Sequence, residues 1–200
     1  MKMSLFVAPL LLLSTASVTA HMPDPRVFFS SQDNIENQLR EAIDRTTSVI
    51  DGAVFDVSSP NLQQALRRAA ARGVSVRLIV DRRENPPGNI TEGWEPGFLI
   101  RHIAGKRGAH GAMHHKFAIF DGAEVVTGSY NWTPGARYVN HENVLFEDNP
   151  AIVAAYEHQF EQLWSSGEQL SRSGTIIASG PRARHHRSRH KSSAHSYNRF

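Results

Sequence analysis

The 200-residue chain contains no cysteine, so neither disulfides nor thiol chemistry contribute to it, and it is long enough for one domain once its ends are set aside. Its net charge of +3 is unevenly spread: Lys2 and the seven Arg and Lys residues from Arg172 onward carry eight positive charges, which leaves residues 21–168 at −5. The basic character belongs to the C-terminal tail, and the body lacks the overall positive charge of a protein that holds polyanions across its whole surface.

Lys2, the apolar run 5–13 and the small residues Val18, Thr19 and Ala20 have the form of a secretory signal peptide cut after Ala20. That predicts a secreted or periplasmic mature chain. The run is too short to span a bilayer, and no other stretch qualifies. Asp33, with Glu36 three residues on, fits a capping box, and Ile35, Leu39, Ala42 and Ile43 recur at helical spacing to about Thr46. Residues 48–56 read as a strand. Ser59-Pro60 is a cap followed by proline at the first helical position, Leu62, Ala65, Leu66 and Ala69 form a buried stripe, and Gly73 stands where a helix ends. Residues 74–80 are the clearest strand. This alternation predicts an α/β fold, with a mixed, largely parallel sheet flanked by helices on both faces.

Residues 82–97, with three prolines, three glycines and Trp94, form a loop long enough to be functional. Residues 98–103 read as a strand and 105–111 as a second loop. Residues 116–120 and 124–127 flank Asp121-Gly122, a strong hairpin turn. A further strand at 143–146 precedes Asn149-Pro150, which opens a last helix with Tyr156, Phe160 and Trp164 on its apolar side. The predicted domain covers 21–170. Residues 171–200, rich in Arg, His and Ser, are expected to be disordered, serving as a polyanion-binding arm or as a solubilising tail.

One stretch carries chemistry. His114-x-Lys116 is followed four residues later by Asp121, then by Gly128-Ser129-x-Asn131 and His141-Glu142-Asn143. On a strand, His114 and Lys116 leave the same face. An imidazole beside an ammonium, with Ser129 and Asn131 two apart nearby, suits an oxyanion such as a phosphodiester. The rival pattern is zinc held by His110, His114 and His115 with His102 and His141; Gly108, Gly111 and the strand periodicity oppose the helix that spacing needs. Asp121 either tunes charge near the site or caps the turn with Gly122, and the structural role is favoured. Trp94, Tyr130 and Trp132 are offered as surfaces for stacking bases or for lining a lipid-headgroup pocket, with packing under the hairpin the favoured role for Trp132.

The joint motif resembles the phospholipase D superfamily, in the form of its small, exported, single-motif endonuclease-like members, over roughly residues 27–166. The resemblance implies a phosphoric diester hydrolase that needs no metal or cofactor and forms a phosphohistidine. His114, Lys116, Asp121 and Glu142 would form its catalytic set. Glu142 would orient His114, while Lys116, Ser129 and Asn131 would hold the phosphate. A single motif supplies one histidine, so the resemblance further implies a homodimer with one shared site. The expected substrate is DNA or RNA, cut without sequence preference. The alternatives are a phospholipase D acting on phosphatidylcholine-type lipids and a non-catalytic polyanion-binding protein.

Overall fold

The computed structural model describes residues 26–90, 96–108, 110–170 and 176–179. The expected leader, Trp94 and most of the basic tail lie outside them. In chain order the elements are β1 (Arg26–Phe29), α1 (Ile35–Arg45), β2 (Val49–Val54), α2 (Pro60–Ala71), β3 (Ser75–Asp81), β4 (Phe98–Ile103), β5 (Lys116–Phe120), β6 (Glu124–Gly128), α3 (Pro134–Tyr138), β7 (Asn143–Glu147), α4 (Pro150–Ser166), β8 (Glu168–Leu170) and β9 (Ile176–Ser179).

The described strands form one sheet in the order β1-β7-β6-β5-β2-β3-β4-β8-β9. β3 is parallel to both β2 and β4, and the other neighbouring pairs are antiparallel. The mixed α/β sheet expected from the sequence is present, but its parallel part is narrower than expected and confined to the centre. The α2 crossover makes β2 and β3 parallel. On the other side, Asp121 and Gly122, at φ 53° and 63°, fold β6 straight back on β5.

Side-chain alternation sorts the core into two layers. Ile50, Val54, Leu78 and Val80 pack against Leu39 and Ile43 of α1 and Leu62 and Leu66 of α2. Ala53, Ile79, Phe117 and Ile119 face the other way, onto Val153 and Phe160 of α4. Helices thus cover both faces. Each large side chain so buried contributes about 1.5–3 kcal/mol. Ser59 caps α2 and Asn149 caps α4, each followed by the proline expected at the first helical position.

Four local expectations change. Asn34, not Asp33, caps α1, accepting from the Asn37 N–H at 3.1 Å, while Asp33 accepts from the Phe29 N–H. Glu36 does not close a capping box. It is buried, takes the Ser59 hydroxyl at 2.5 Å and the Asn61 amide at 3.1 Å, and pairs with Arg137. The short β1 and α3 are additional elements, too brief for periodicity to reveal. The sheet also continues past the expected boundary at residue 170, where β9 pairs with β8.

Candidate active site

The site forms where β2 ends and β5 begins. Lys116 pairs with Val54 across the ladder, and the Phe55 N–H extends it by donating to the His115 carbonyl at 2.8 Å. This fixes which side chains share a face. His114 and Lys116 both pack on Phe55: the imidazole centroid lies 4.6 Å from the ring, and Lys116 Nζ lies 4.9 Å above it. The Nζ is 3.3 Å from His114 Nδ1 and donates to the His114 carbonyl at 3.0 Å. Burial lowers the Lys116 pKa, and the Glu142 carboxylate partly opposes that shift. Phe55 was missed in the sequence, where it reads as one more apolar strand residue; its place at the end of the strand beside the motif is the signal that could have found it.

His115 points to the opposite face, as strand alternation requires. Its ring meets Phe117 at 5.5 Å, and its pKa is lowered by burial and by the positive charges of Lys116, Lys106 and His114. His102 is buried in β4, away from the motif. Among the described residues no three His, Asp or Glu side chains converge as a metal ion would require.

The second half of the site lies across β6 and β7. Gly128 is needed there, because a Cβ at this position would fall 2.2 Å from the Asn143 carbonyl oxygen. That close approach seats Ser129 beside Glu142. The Ser129 hydroxyl donates to Glu142 Oε2 and accepts from the Asn143 N–H at 3.1 Å, and the Asn140 amide donates to Glu142 Oε1 at 3.1 Å. The Asn131 side-chain oxygen is buried and has no hydrogen-bond partner among the described residues. Trp132 packs in the core, as expected, and its N–H donates to the Asp56 carbonyl at 3.0 Å, tying this loop to β2. Tyr130, offered as a stacking surface, is instead only 2% exposed.

One expected partnership is not made within the chain, and Asp121 takes the structural role favoured for it over the catalytic one. No hydrogen bond joins Glu142 to His114: the carboxylate is committed to Ser129 and Asn140, and His114 Nδ1 faces the Lys116 ammonium. Asp121 is at the far end of β5, roughly 20 Å from His114 at the rise of an extended strand. There it accepts from the N–H groups of Thr47, Ser48 and Val49 at 2.7–3.0 Å and from the hydroxyls of Thr47 and Ser48. Burial alone would raise its pKa, but these bonds outweigh that and hold it well below the usual carboxylate range. Its position is that of a clamp on the start of β2, not of a catalytic group.

A family model described as "Cardiolipin synthase, PLD-like domain" matches residues 39–164. The mitochondrial cardiolipin hydrolase of Xenopus tropicalis is 36% identical over 141 residues, covering 70% of this chain and 65% of that protein. Its counterpart in Xenopus laevis is 43% identical over 113 residues, covering 56% and 52%. The chain therefore spans about half to two thirds of the length of these curated relatives. Among solved structures, Nuc from Salmonella typhimurium, a phospholipase D family member, aligns with a TM-score of 0.65 at 24% identity, over 74% of this chain and 98% of that one. NucT from Helicobacter pylori aligns with a TM-score of 0.67 at 22% identity, over 74% and 99%. At these identities the two structures bear on the fold.

Proposed function

The chain belongs to the phospholipase D superfamily, and from that premise we propose that it is a phosphodiesterase that works through a phosphohistidine and acts on DNA or RNA. The observation that carries this is the pairing of His114 and Lys116 on one face over Phe55, with Ser129 and Glu142 bonded to each other on the neighbouring strands. Phosphodiester cleavage needs a nucleophile, donors for the nonbridging oxygens and a proton for the leaving oxygen. His114 attacks phosphorus, and Lys116 and the Asn131 amide hold the nonbridging oxygens, joined by Ser129 when its hydroxyl turns from Glu142 to the phosphate. A second group protonates the leaving oxygen, and water then releases the phosphate from the histidine.

An attacking Nε2 requires the proton on Nδ1, where a carboxylate must accept it. Within one chain Nδ1 meets an ammonium instead. That gap, with only one motif histidine present, supports a two-fold dimer in which two copies complete one site. The resemblance to small, exported, endonuclease-like members favours a nucleic acid over a lipid. The names of the relatives favour the second reading, a phospholipid diester. The apolar leader supports export, and fractionation of the producing cell tests it.

The purified protein is incubated in excess EDTA with plasmid DNA, with single-stranded RNA, and with vesicles of phosphatidylcholine or cardiolipin. Nicking or degradation of nucleic acid that His114→Ala abolishes is the expected result. Headgroup release from vesicles with intact nucleic acid would transfer the assignment to the lipid, and silence on every substrate would leave polyanion binding.

A further inference from the structure

The segment between β4 and β5 carries charge that the proposed chemistry does not use. It opens with a β-turn over residues 105–108, closed by the Gly108 N–H donating to the Gly105 carbonyl at 2.8 Å. The base of the turn is tightly packed, since a Cβ on Gly105 would fall 2.2 Å from the Ala112 nitrogen. Lys106 and Arg107 stand at its tip, both exposed. The segment ends at Met113, whose N–H donates to the buried Asp81 Oδ2 at 2.8 Å, and the next residue is His114.

Among the described residues, Lys106 and Arg107 make no ion pair and no side-chain hydrogen bond. Other cations at this end of the sheet are engaged: Arg82 pairs with Glu168, Arg83 lies against Asp81, and Arg101 donates to the Trp164 carbonyl. The acids nearby are committed as well. Asp81 accepts from the Met113 and Arg83 N–H groups, Glu168 holds Arg82, and the charge of Glu84 acts on Asp56. In a body of net charge −5, two adjacent cations with no carboxylate of their own keep their field for a ligand.

The topology puts this turn at the reactive edge. β2, β3 and β4 run parallel and so end at one edge of the sheet, and β5, antiparallel to β2, starts there. The order β5-β2-β3-β4 sets the start of β5 and the end of β4 three strand spacings apart, about 14 Å. The positive field spans that gap: burial lowers the His115 pKa, and the charges of Lys116 and Lys106 lower it further. The tip carries no apolar side chain that could enter a bilayer. Its chemistry suits a polyanion in water, the backbone of a nucleic acid strand.

We propose that the Lys106-Arg107 turn is a phosphate-binding arm of the site, holding backbone phosphates of a single-stranded nucleic acid a few nucleotides from the phosphate that His114 attacks. This rests on the nuclease reading above. The test measures binding of a labelled single-stranded oligonucleotide across a salt series, in full-length His114→Ala protein, which binds without cutting. Three forms are compared: the turn intact, Lys106→Gln with Arg107→Gln, and the charge-preserving exchange Lys106→Arg with Arg107→Lys. Thermal unfolding of all three should coincide, because both side chains are exposed at a turn tip. Each phosphate contact contributes about 0.7 to the slope of log affinity against log salt, so the two glutamines should flatten it by about 1.4 even with the basic tail attached. The exchange should keep the slope. With His114 intact, the two glutamines should raise KM on the oligonucleotide about tenfold or more.

An unchanged slope in the folded double-glutamine form would overturn the arm, as would a slope that the charge-preserving exchange flattens equally. Bis(4-nitrophenyl) phosphate, which has no neighbouring phosphate, separates this failure from that of the nuclease reading. Its turnover by the wild type beside an unchanged slope removes the arm and leaves the phosphodiesterase. No turnover of it, of RNA or of DNA, beside a slope the glutamines flatten, removes the catalysis and leaves the turn as a nucleic acid contact. A parallel series replaces the oligonucleotide with cardiolipin vesicles. Vesicle binding that the glutamines abolish, beside an unchanged nucleic acid slope, would give the turn to a lipid surface and overturn the assignment.

Discussion

His114 and Asp121 belong to the same seven-residue spacing, yet they stand at opposite ends of one strand and do different work. His114→Ala removes the proposed nucleophile and should lower phosphodiester turnover by about a thousandfold or more, with unfolding unchanged. Asp121→Asn keeps the left-handed turn, which asparagine tolerates, but removes the charge that gathers five donors from Thr47, Ser48 and Val49. It should cost about 1–2 kcal/mol of stability and leave kcat largely intact, as thermal unfolding and steady-state kinetics would read. The pH dependence has a definite sign. A carboxylate whose folded pKa is depressed stabilises above its unfolded pKa, near 4, and loses that contribution as pH falls toward the folded value. The acid limb of the stability curve should therefore be shallower in Asp121→Asn than in the wild type. An identical limb in both proteins would remove the clamp.

At the scale of elements, the site depends on two junctions. The first is the approach of β6 to β7 at Gly128. Gly128→Ala drives a methyl into the Asn143 carbonyl, so Ser129 must withdraw from Glu142. Both stability and turnover should fall, the latter about tenfold or more, because phosphate donors tolerate little displacement. The second junction is the buried Glu36, which gathers Ser59 and Asn61 at the start of α2 and Arg137 of α3 around the start of α1. Glu36→Ala leaves Arg137 without its carboxylate and should cost about 3 kcal/mol, measurable by urea unfolding. α3 immediately follows the Ser129–Asn131 loop, so the loss should also blur phosphate binding and raise KM.

At the scale of the whole molecule, the proposed phosphodiesterase site is completed by a second copy. Among the described residues His114 Nδ1 faces the Lys116 ammonium and no carboxylate, and the motif supplies one histidine. If two copies share one phosphate, mixing equal amounts of wild type and His114→Ala with free subunit exchange should leave about one quarter of the wild-type activity rather than one half. Activity in strict proportion to the wild-type fraction, together with a monomeric mass in sedimentation, would exclude the shared site. The negative body charge adds a further expectation. Nucleic acid binding should weaken steeply with salt if the basic residues from Arg182 onward provide the phosphate contacts, and truncation after Ser179, which spares β9, should flatten that slope.

The sequence by itself determined the elements with strong period or punctuation: α2 between Ser59-Pro60 and Gly73, the β5–β6 hairpin around Asp121-Gly122, and α4 after Asn149-Pro150. Local propensity and backbone sterics act within a few residues, so these are written locally. It also determined that His114 and Lys116 share a face, because strand alternation needs no tertiary information. Tertiary structure decided what depends on residues far apart in the chain. It turned Glu36 from a local cap into a cross-link to Ser59 and Arg137, sent Asp121 to Thr47–Val49, limited the parallel ladders to the centre, and put Phe55 beneath His114 and Lys116. It also buried the Tyr130 ring beside the motif. A spacing rule carries no account of which distant backbone groups will need a partner, and that need fixes where buried polar side chains go.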